Sequence, residues 1–420
     1  MNFYDTLETR SHTEREAALM LSLPHQIANA QKNSAAFASI LKSIDASQIN
    51  NRKALAKLPV TRKHELLERQ EAARATNSSQ HTVFAGFNTQ TFGAAIPRVF
   101  ASPGPIYEPE GAGRDYWRMA RAIFAAGFRS GELIHNCFSY HFVPAGSMME
   151  TGAHAVGCSV FPGGTGQTEQ QVQAIQHLQP SGYIGTPSFL KIIVDKALEL
   201  NQPLPKSFNK AMLGGEAFPP SLRDWLAERG IAGYQCYATA DLGLIAYETE
   251  AREGLVLDEG VILEVVRPGT GDPVADGEVG EVVVTSLNPD YPLIRFGTGD
   301  LSAVLVGNCP TGRTNTRIKG WMGRADQTTK MRGMFVHPGQ VDSVAKRFSE
   351  IKRARLIVSG EMANDQMLLK VEVTEPQNGL AERIGMVVRE VTKLRSNVEL
   401  CAVGSLPNDG KVIEDARSYQ

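Results

Sequence analysis

The chain has 420 residues, 42% hydrophobic and 21% charged, with a formal net charge of −2. That length favours more than one domain and that balance a globular protein, while the charge lacks the concentrated basic field that nucleic acid or an anionic membrane surface requires. No apolar run is long enough for a membrane span, the opening MNFYDTLETRSHTEREAALM lacks the order of a secretory leader, and an odd, scattered set of five cysteines argues for a reducing, cytoplasmic setting over a disulfide framework.

Residues 1 to about 80 read as helical. HTEREAALMLSLPHQIANAQKNSAAFASILKSI carries helical periodicity that Pro24 is expected to interrupt, since proline lacks the donor an interior turn needs. Helix character returns in RKHELLERQEAARA, with Thr61 placed to cap it. From about 81 to 245 helical and strand-like runs alternate. DYWRMARAIFAAGF, GSMMETGAHAVG, TEQQVQAIQHLQ, SFLKIIVDKALEL and SLRDWLAERG read as helices; ELIHNCFSY, CSVFPG, SGYIGTP, KAMLGG and GYQCYAT read as strands. This crossover pattern predicts an α/β region whose sheet is covered by helices.

After 250 the runs GVILEVVRP, EVVVTSL and LIRFGTGDLSAVLVG are short, β-rich and joined by glycine turns, predicting a β-rich subdomain. A boundary near GWMGRADQTTK divides a large domain over 1–324 from a small α+β domain over 325–420. The small domain is read from HPGQVDSVAKRFSEI, RARLIVSG, QMLLKVEVTE and a helix over 380–395.

Three glycine-containing turns carry the candidate chemistry. FGTGD ends in Asp300 after a strand-like run, GRADQTTKMRG places Arg324 and Asp326 beside glycine and follows them with Lys330, and PNDGKVIED places Lys411 on a short turn. Singly, an aspartate after glycine is more often a turn residue and a lone lysine more often solvated surface. Together, carboxylates that accept from vicinal hydroxyls and cations that match anionic oxygens point to a nucleotide.

The order of these motifs resembles the phenylacetate–CoA ligase family within the adenylate-forming superfamily. The matching stretches are LAKLPVTRKHELLERQ, GCSVFPGGTGQTEQQ, YIGTPSFL, MLGGEAFPPSLR, YATADLG, GEVGEVVVTSL, YPLIRFGTGDLS, GRADQTTKMRGMFVHPGQVD and NDGK. The resemblance implies a large adenylate-forming domain with a small mobile lid. It also implies ATP, Mg²⁺ and CoA as cofactors, and a reaction in which a small carboxylic acid becomes an acyl-adenylate and then a thioester. By the same resemblance Asp300 binds the ribose hydroxyls, Arg324 reaches the nucleotide with Lys330 as a further contact, Asp326 is the hinge, and Lys411 contacts the acyl carboxylate and α-phosphate. Gly214, Gly215 and Glu216 fall beside adenine, and Gly185, Thr186 and Pro187 near the acyl or CoA route. Tyr237 stacks on adenine or lines the acid pocket, and Asp241 stands where the family has a Mg²⁺-associated glutamate, one methylene shorter. Tyr140, His141 and Phe142 are pocket candidates that favour an aromatic acid. The acceptor is CoA or a carrier-protein thiol, and a homodimer is the prior expectation.

ASPGPIYEP, residues 101–109, departs from the family pattern. A Ser/Thr/Gly-rich loop with a lysine is expected there, embracing the β- and γ-phosphates of ATP. Only Ser102 and Gly104 match it; Pro103 and Pro105 remove two backbone donors and Glu108 adds negative charge. Two accounts are open: ATP is bound with a reduced grip, or the fold now serves as an adenylate-binding enzyme with altered chemistry or as a non-catalytic nucleotide- or CoA-binding protein.

Overall fold

The computed structural model describes residues 2–417 apart from 78, 80, 81, 326, 328, 332, 333, 337, 361–364 and 408–410. The chain divides into two compact units, Met1–Met322 and Gly323–Gln420. No helix among the described residues is long and apolar enough to cross a membrane.

The first unit opens with the helix His12–Asn33, capped by a reciprocal box in which Ser11 Oγ accepts from the Glu14 amide and Glu14 Oε2 accepts from the Ser11 amide at 2.9 Å. The helix runs through Pro24, contrary to the expected break. Proline removes one interior bond, but Leu19, Leu23, Ile27 and Ala30 present a continuous buried stripe that holds the turns on either side. Thr61 does not act as the expected cap: Thr61–Arg62 is a short strand parallel to Phe296–Gly297, and the helix Lys63–Asn77 starts directly after it. This strand delivers Lys63 to the edge of the site described below.

The predicted crossovers build one large sheet. Its nine strands run in the order Val304–Leu305, Arg317–Ile318, Leu255–Leu257, Gly243–Glu248, Ala232–Thr239, Lys210–Leu213, Gly182–Gly185, Leu133–Asn136, Ser159–Pro162. The last five are mutually parallel, and the others join through antiparallel pairs. The chain leaves Leu133–Asn136 toward one edge and Gly182–Gly185 toward the other, so their carboxyl ends form a topological switch point, where α/β sheets leave a crevice. A four-stranded sheet of Thr61–Arg62, Phe296–Ser302, Gly280–Ser286 and Val261–Val266 carries the β-rich part. Leu23, Ile27 and Phe37 of the amino-terminal helices share one core with its Val282, Val284 and Phe296, while Ile123, Phe128, Met148, Ile184 and Met212 belong to a second core on the parallel sheet.

The second unit is a four-stranded sheet in the order Asn397–Ala402, Gln366–Val373, Ile351–Ser359, Ile413–Asp415, with helices Pro338–Ala345 and Leu380–Thr392. Leu380, Ile384 and Val388 repeat at helical spacing and are buried with Val358, Leu369 and Val371.

Candidate active site

The crevice at the switch point is built by the ends of the strands Leu133–Asn136 and Gly182–Gly185. Gly185, Thr186 and Pro187 close one side, with Thr186 Oγ1 accepting from the Phe189 amide as the cap of the helix Pro187–Glu199. On the other side Asn136 Nδ2 donates to Tyr140 Oη at 2.8 Å, and Tyr140 Oη donates to Glu150 Oε2 at 2.8 Å. Tyr140 is thus half-buried in a polar chain, whereas His141 is exposed and Phe142 is 81% exposed with a left-handed φ of 63°. The expected aromatic trio therefore separates, because the Ser139–Pro144 turn faces two of its side chains outward. Gly214 is buried after Lys210–Leu213, where a Cβ would meet Cys236 Sγ at 2.8 Å; Gly215 and Glu216 are exposed beyond it.

Beneath the neighbouring loop, His135 is fully buried and pairs through Nε2 with Gln171 Oε1 at 2.7 Å. Gln171 Nε2 in turn donates to the carbonyls of Gly163 and Gly166. Burial holds the His135 ring down at about 4, so it is neutral and fixes the GGTG loop as a hydrogen-bonding group.

Tyr237 and Asp300 meet across two sheets. Tyr237 Oη donates to Asp300 Oδ2 at 2.8 Å and Trp321 Nε1 donates to Oδ1 at 3.2 Å, while the Asp300 amide rests on Thr298 Oγ1 at 3.1 Å. A buried carboxylate held at both oxygens keeps a fixed plane. Trp321 was not legible as a site residue; it lies in the GWMGR junction that sequence marks only as a boundary.

The stretch 101–109 is a closed hairpin. Arg98–Ser102 pairs with Ile106–Glu110 and leaves only Pro103, Gly104 and Pro105 in the turn. Gly104 is the only turn residue with an N–H. The Ala101 amide donates to the Phe142 carbonyl at 2.8 Å, and the Tyr107 amide to Gln70 Oε1 at 2.8 Å, with Gln70 Nε2 returning a bond to the Tyr107 carbonyl at 2.9 Å. These two amides are spent on the protein and do not face a phosphate.

What the hairpin does carry is a buried charge cluster. Ser102 Oγ donates to Glu108 Oε1 at 2.5 Å, Lys63 Nζ donates to Asp241 Oδ2 at 2.7 Å, and Lys63 Nζ lies 3.4 Å from Ser102 Oγ. Glu108 is fully buried and Asp241 is 5% exposed, while the Lys63 side chain is 38% exposed at the rim. Glu108 Oε2 and Asp241 Oδ1 have no hydrogen-bond partner among the described residues. Burial first, then the Asp241 charge, pushes the Glu108 carboxyl up to about 8. The unfolded chain releases this proton near the ordinary value of 4.5 and the folded chain near 8, so the stability it contributes is complete at low pH and lost as pH rises through that window. Urea midpoints of wild type and Glu108→Gln are expected to diverge from pH 5 to 8 in favour of the variant, reaching about 2 kcal/mol or more.

Asp241 is the expected metal ligand. One of its oxygens is held by the Lys63 ammonium, and no group of three or more His, Cys, Asp or Glu side chains suited to a metal occurs among the described residues. Asp241 Oδ1 has no partner among the described residues, so one anionic oxygen there stays open to a hard cation.

In the second unit, Arg324 is half-buried, Lys330 lies in the strand Thr329–Met331, and Lys411 is exposed just before Ile413–Asp415. Gln327 Oε1 accepts from the Val412 amide at 2.8 Å and from the Ile413 amide at 3.4 Å, which joins the GRAD segment to the segment bearing Lys411. Asp326, the expected hinge, lies outside the described residues.

A parallel sheet with its crevice at the switch point, an aspartate within the strand Phe296–Ser302 set by a tyrosine and a tryptophan, and a separate α+β unit bearing the lysine define the class of adenylate-forming enzymes. Residues 114–288 match the family of AMP-binding enzymes. Phenylacetate–coenzyme A ligase of Thermus thermophilus is 32% identical over 298 residues, covering 67% of this chain and 66% of that protein. The Pseudomonas putida protein of the same name is 30% identical over 342 residues, 75% and 77% of the two chains. Among solved structures, 2-hydroxyisobutyryl-CoA ligase in complex with 2-HIB-AMP and CoA matches with a TM-score of 0.82 at 23% identity, over 100% of this chain and 93% of that one, a likeness of fold. The chain belongs to the phenylacetate–coenzyme A ligase family of AMP-binding enzymes.

Proposed function

We propose that the protein is an AMP-forming acid–CoA ligase. A carboxylate oxygen attacks the α-phosphorus of ATP and pyrophosphate leaves; the CoA sulfur then attacks the acyl carbon, AMP leaves and the thiol gives up its proton. The observation that carries this reading is the Asp300 carboxylate fixed by Tyr237 and Trp321, an acceptor pair shaped for ribose hydroxyls. Arg324 and Lys411 supply positive charge to the phosphoryl oxygens, Lys330 adds to it, and Asp326 is the pivot that brings this unit to the site and withdraws it. The Asn136–Tyr140–Glu150 chain at the crevice supports an aromatic acid that bears a hydroxyl or amine on its ring.

The test is pyrophosphate exchange into ATP across a panel of carboxylic acids, followed by detection of the acyl-CoA. Exchange with one acid class and a CoA product is the expected result; AMP binding without exchange by any acid would overturn it. Within the panel, Glu150→Gln is expected to lower kcat/KM for a ring-amino or ring-hydroxy acid about tenfold and to leave an unsubstituted ring nearly unchanged, as loss of one hydrogen bond to a charged acceptor predicts.

A further inference from the structure

The first unit carries an arginine-lined cleft that shares no lining residue with the site above. Its volume is about 430 Å³, within the range of small-molecule clefts, and Tyr4, Arg114, Arg118, Arg121, Ala155 and Glu259 border it. The amino-terminal segment, the residues around the start of the helix Ala120–Ala125 and the turn after the strand Leu255–Leu257 bring these groups together.

The acids around the cleft are fully engaged. Asp5 accepts from the Leu7 amide at Oδ1 and from Arg121 Nη2 at Oδ2, and Asp115 accepts from the Met119 and Ala120 amides. Asp258, fully buried, accepts from Arg118 Nε and the Gly260 amide at one oxygen and from Arg121 Nη1 at the other. Glu259 accepts from Arg10 Nη2 and from Arg15 Nε. Glu8 and Arg313 alongside pair with each other at 2.6 Å and add no net charge.

Donors remain when these acceptors are used up. Arg10 Nε, Arg15 Nη1 and Arg121 Nε are buried and have no hydrogen-bond partner among the described residues. Arg114 stands exposed at the rim, where its Nη2 donates to the Ala155 carbonyl at 3.0 Å, and no carboxylate pairs with it among the described residues. Folded proteins leave few buried donors unmatched, and guanidinium groups beyond what the acids absorb suit an anionic ligand.

The floor of the cleft is held rigid. Arg118 Nη2 donates to the Leu242 and Leu244 carbonyls at 2.5 and 3.1 Å. A Cβ at Gly260 would meet Arg118 Cδ at 2.5 Å, so glycine there makes the room that this side chain occupies. Arg118 is therefore preorganised, while Arg114 at the rim keeps the freedom to close on a ligand.

We propose that this cleft is a binding site for a small phosphorylated anion, with the guanidinium groups of Arg114 and Arg118 contacting the phosphoryl oxygens and Arg121 supplying charge behind them. Cations drawn from three positions suit the spread oxygens of a phosphate, whereas a single guanidinium fork serves a flat carboxylate.

The experiment is calorimetric titration of the full-length protein with inorganic phosphate, pyrophosphate and citrate at fixed ionic strength. It is run on wild type, Arg114→Gln, Arg114→Lys and Lys411→Ala. Saturable binding of phosphate or pyrophosphate is expected in wild type, with citrate weaker. The Kd is expected to rise about tenfold in Arg114→Gln, as loss of a charged hydrogen bond predicts, and to recover in part in Arg114→Lys. Lys411→Ala is expected to bind as wild type does. Arg114 is exposed, so its variants are expected to keep the wild-type urea midpoint. Absence of saturable binding by either phosphate anion, an unchanged Kd in Arg114→Gln, or tighter binding of citrate than of both phosphates would overturn the proposal. Binding lost in Lys411→Ala would place the anion in the ligase site and overturn it as well.

Discussion

Replacing Lys411 with alanine is expected to lower acid-dependent pyrophosphate exchange about a hundredfold or more, while thioester formation from supplied acyl-adenylate stays within about threefold of wild type. The asymmetry follows from where charge develops. In adenylation the α-phosphorus gathers negative charge on its oxygens as the acid attacks and pyrophosphate departs, and a lysine ammonium set there stabilises the transition state more than the ground state. In the second step the adenylate already exists and the sulfur attacks carbon. The variant is expected to fold normally, because Lys411 is exposed and the backbone beside it is held by Gln327 through the Val412 and Ile413 amides. Lys411→Arg is expected to recover part of the exchange, since it restores the charge with a different reach. Equal losses in both half-reactions would remove the assigned role and leave Lys411 a structural residue of the second unit.

Much of the large sheet was legible because helices and strands alternate between 120 and 245 with turn residues at nearly every junction, and periodicity alone separates them. Pro24 and Thr61 misled for the same reason. Local propensity says what a residue prefers alone, whereas the stripe Leu19–Leu23–Ile27 and the pairing of Thr61 with Phe296 are tertiary. In the sequence, Asp300 and the lysine near the carboxyl terminus stand out by the glycines beside them. Lys63 does not, since a lysine at the start of a polar helix reads as solvated surface, and neither does Gln70, whose clamp on Tyr107 needs a partner 37 residues away. The prolines of 101–109 mark a departure from the expected loop; only the hairpin register shows how its strands pair and that Glu108 turns inward.

Stability rests heavily on one residue that also sets the approach to the site. Arg295 is 1% exposed; its Nε and Nη2 donate to the two oxygens of Glu264, Nη1 donates to the carbonyls of Ala56 and Leu58, and Nη2 also reaches the Gly271 carbonyl at 2.7 Å. The Arg295 carbonyl accepts from the Thr61 amide at 3.0 Å, so one side chain and its backbone fix the segment that leads into Lys63. Arg295→Met is expected to destabilise the first unit by about 3–5 kcal/mol, because Glu264 is left buried without its cation and three carbonyls lose their donor. Adding Glu264→Leu is expected to recover a substantial part, since the desolvated carboxylate is then gone while the carbonyl bonds stay lost. Urea midpoints of the wild type, each single variant and the pair measure this directly. A double variant no more stable than Arg295→Met would place the loss in the Ala56, Leu58 and Gly271 bonds instead of in the ion pair. In that case the single variant should also weaken exchange at temperatures where it is still folded, because the strand that presents Lys63 would have lost its anchor.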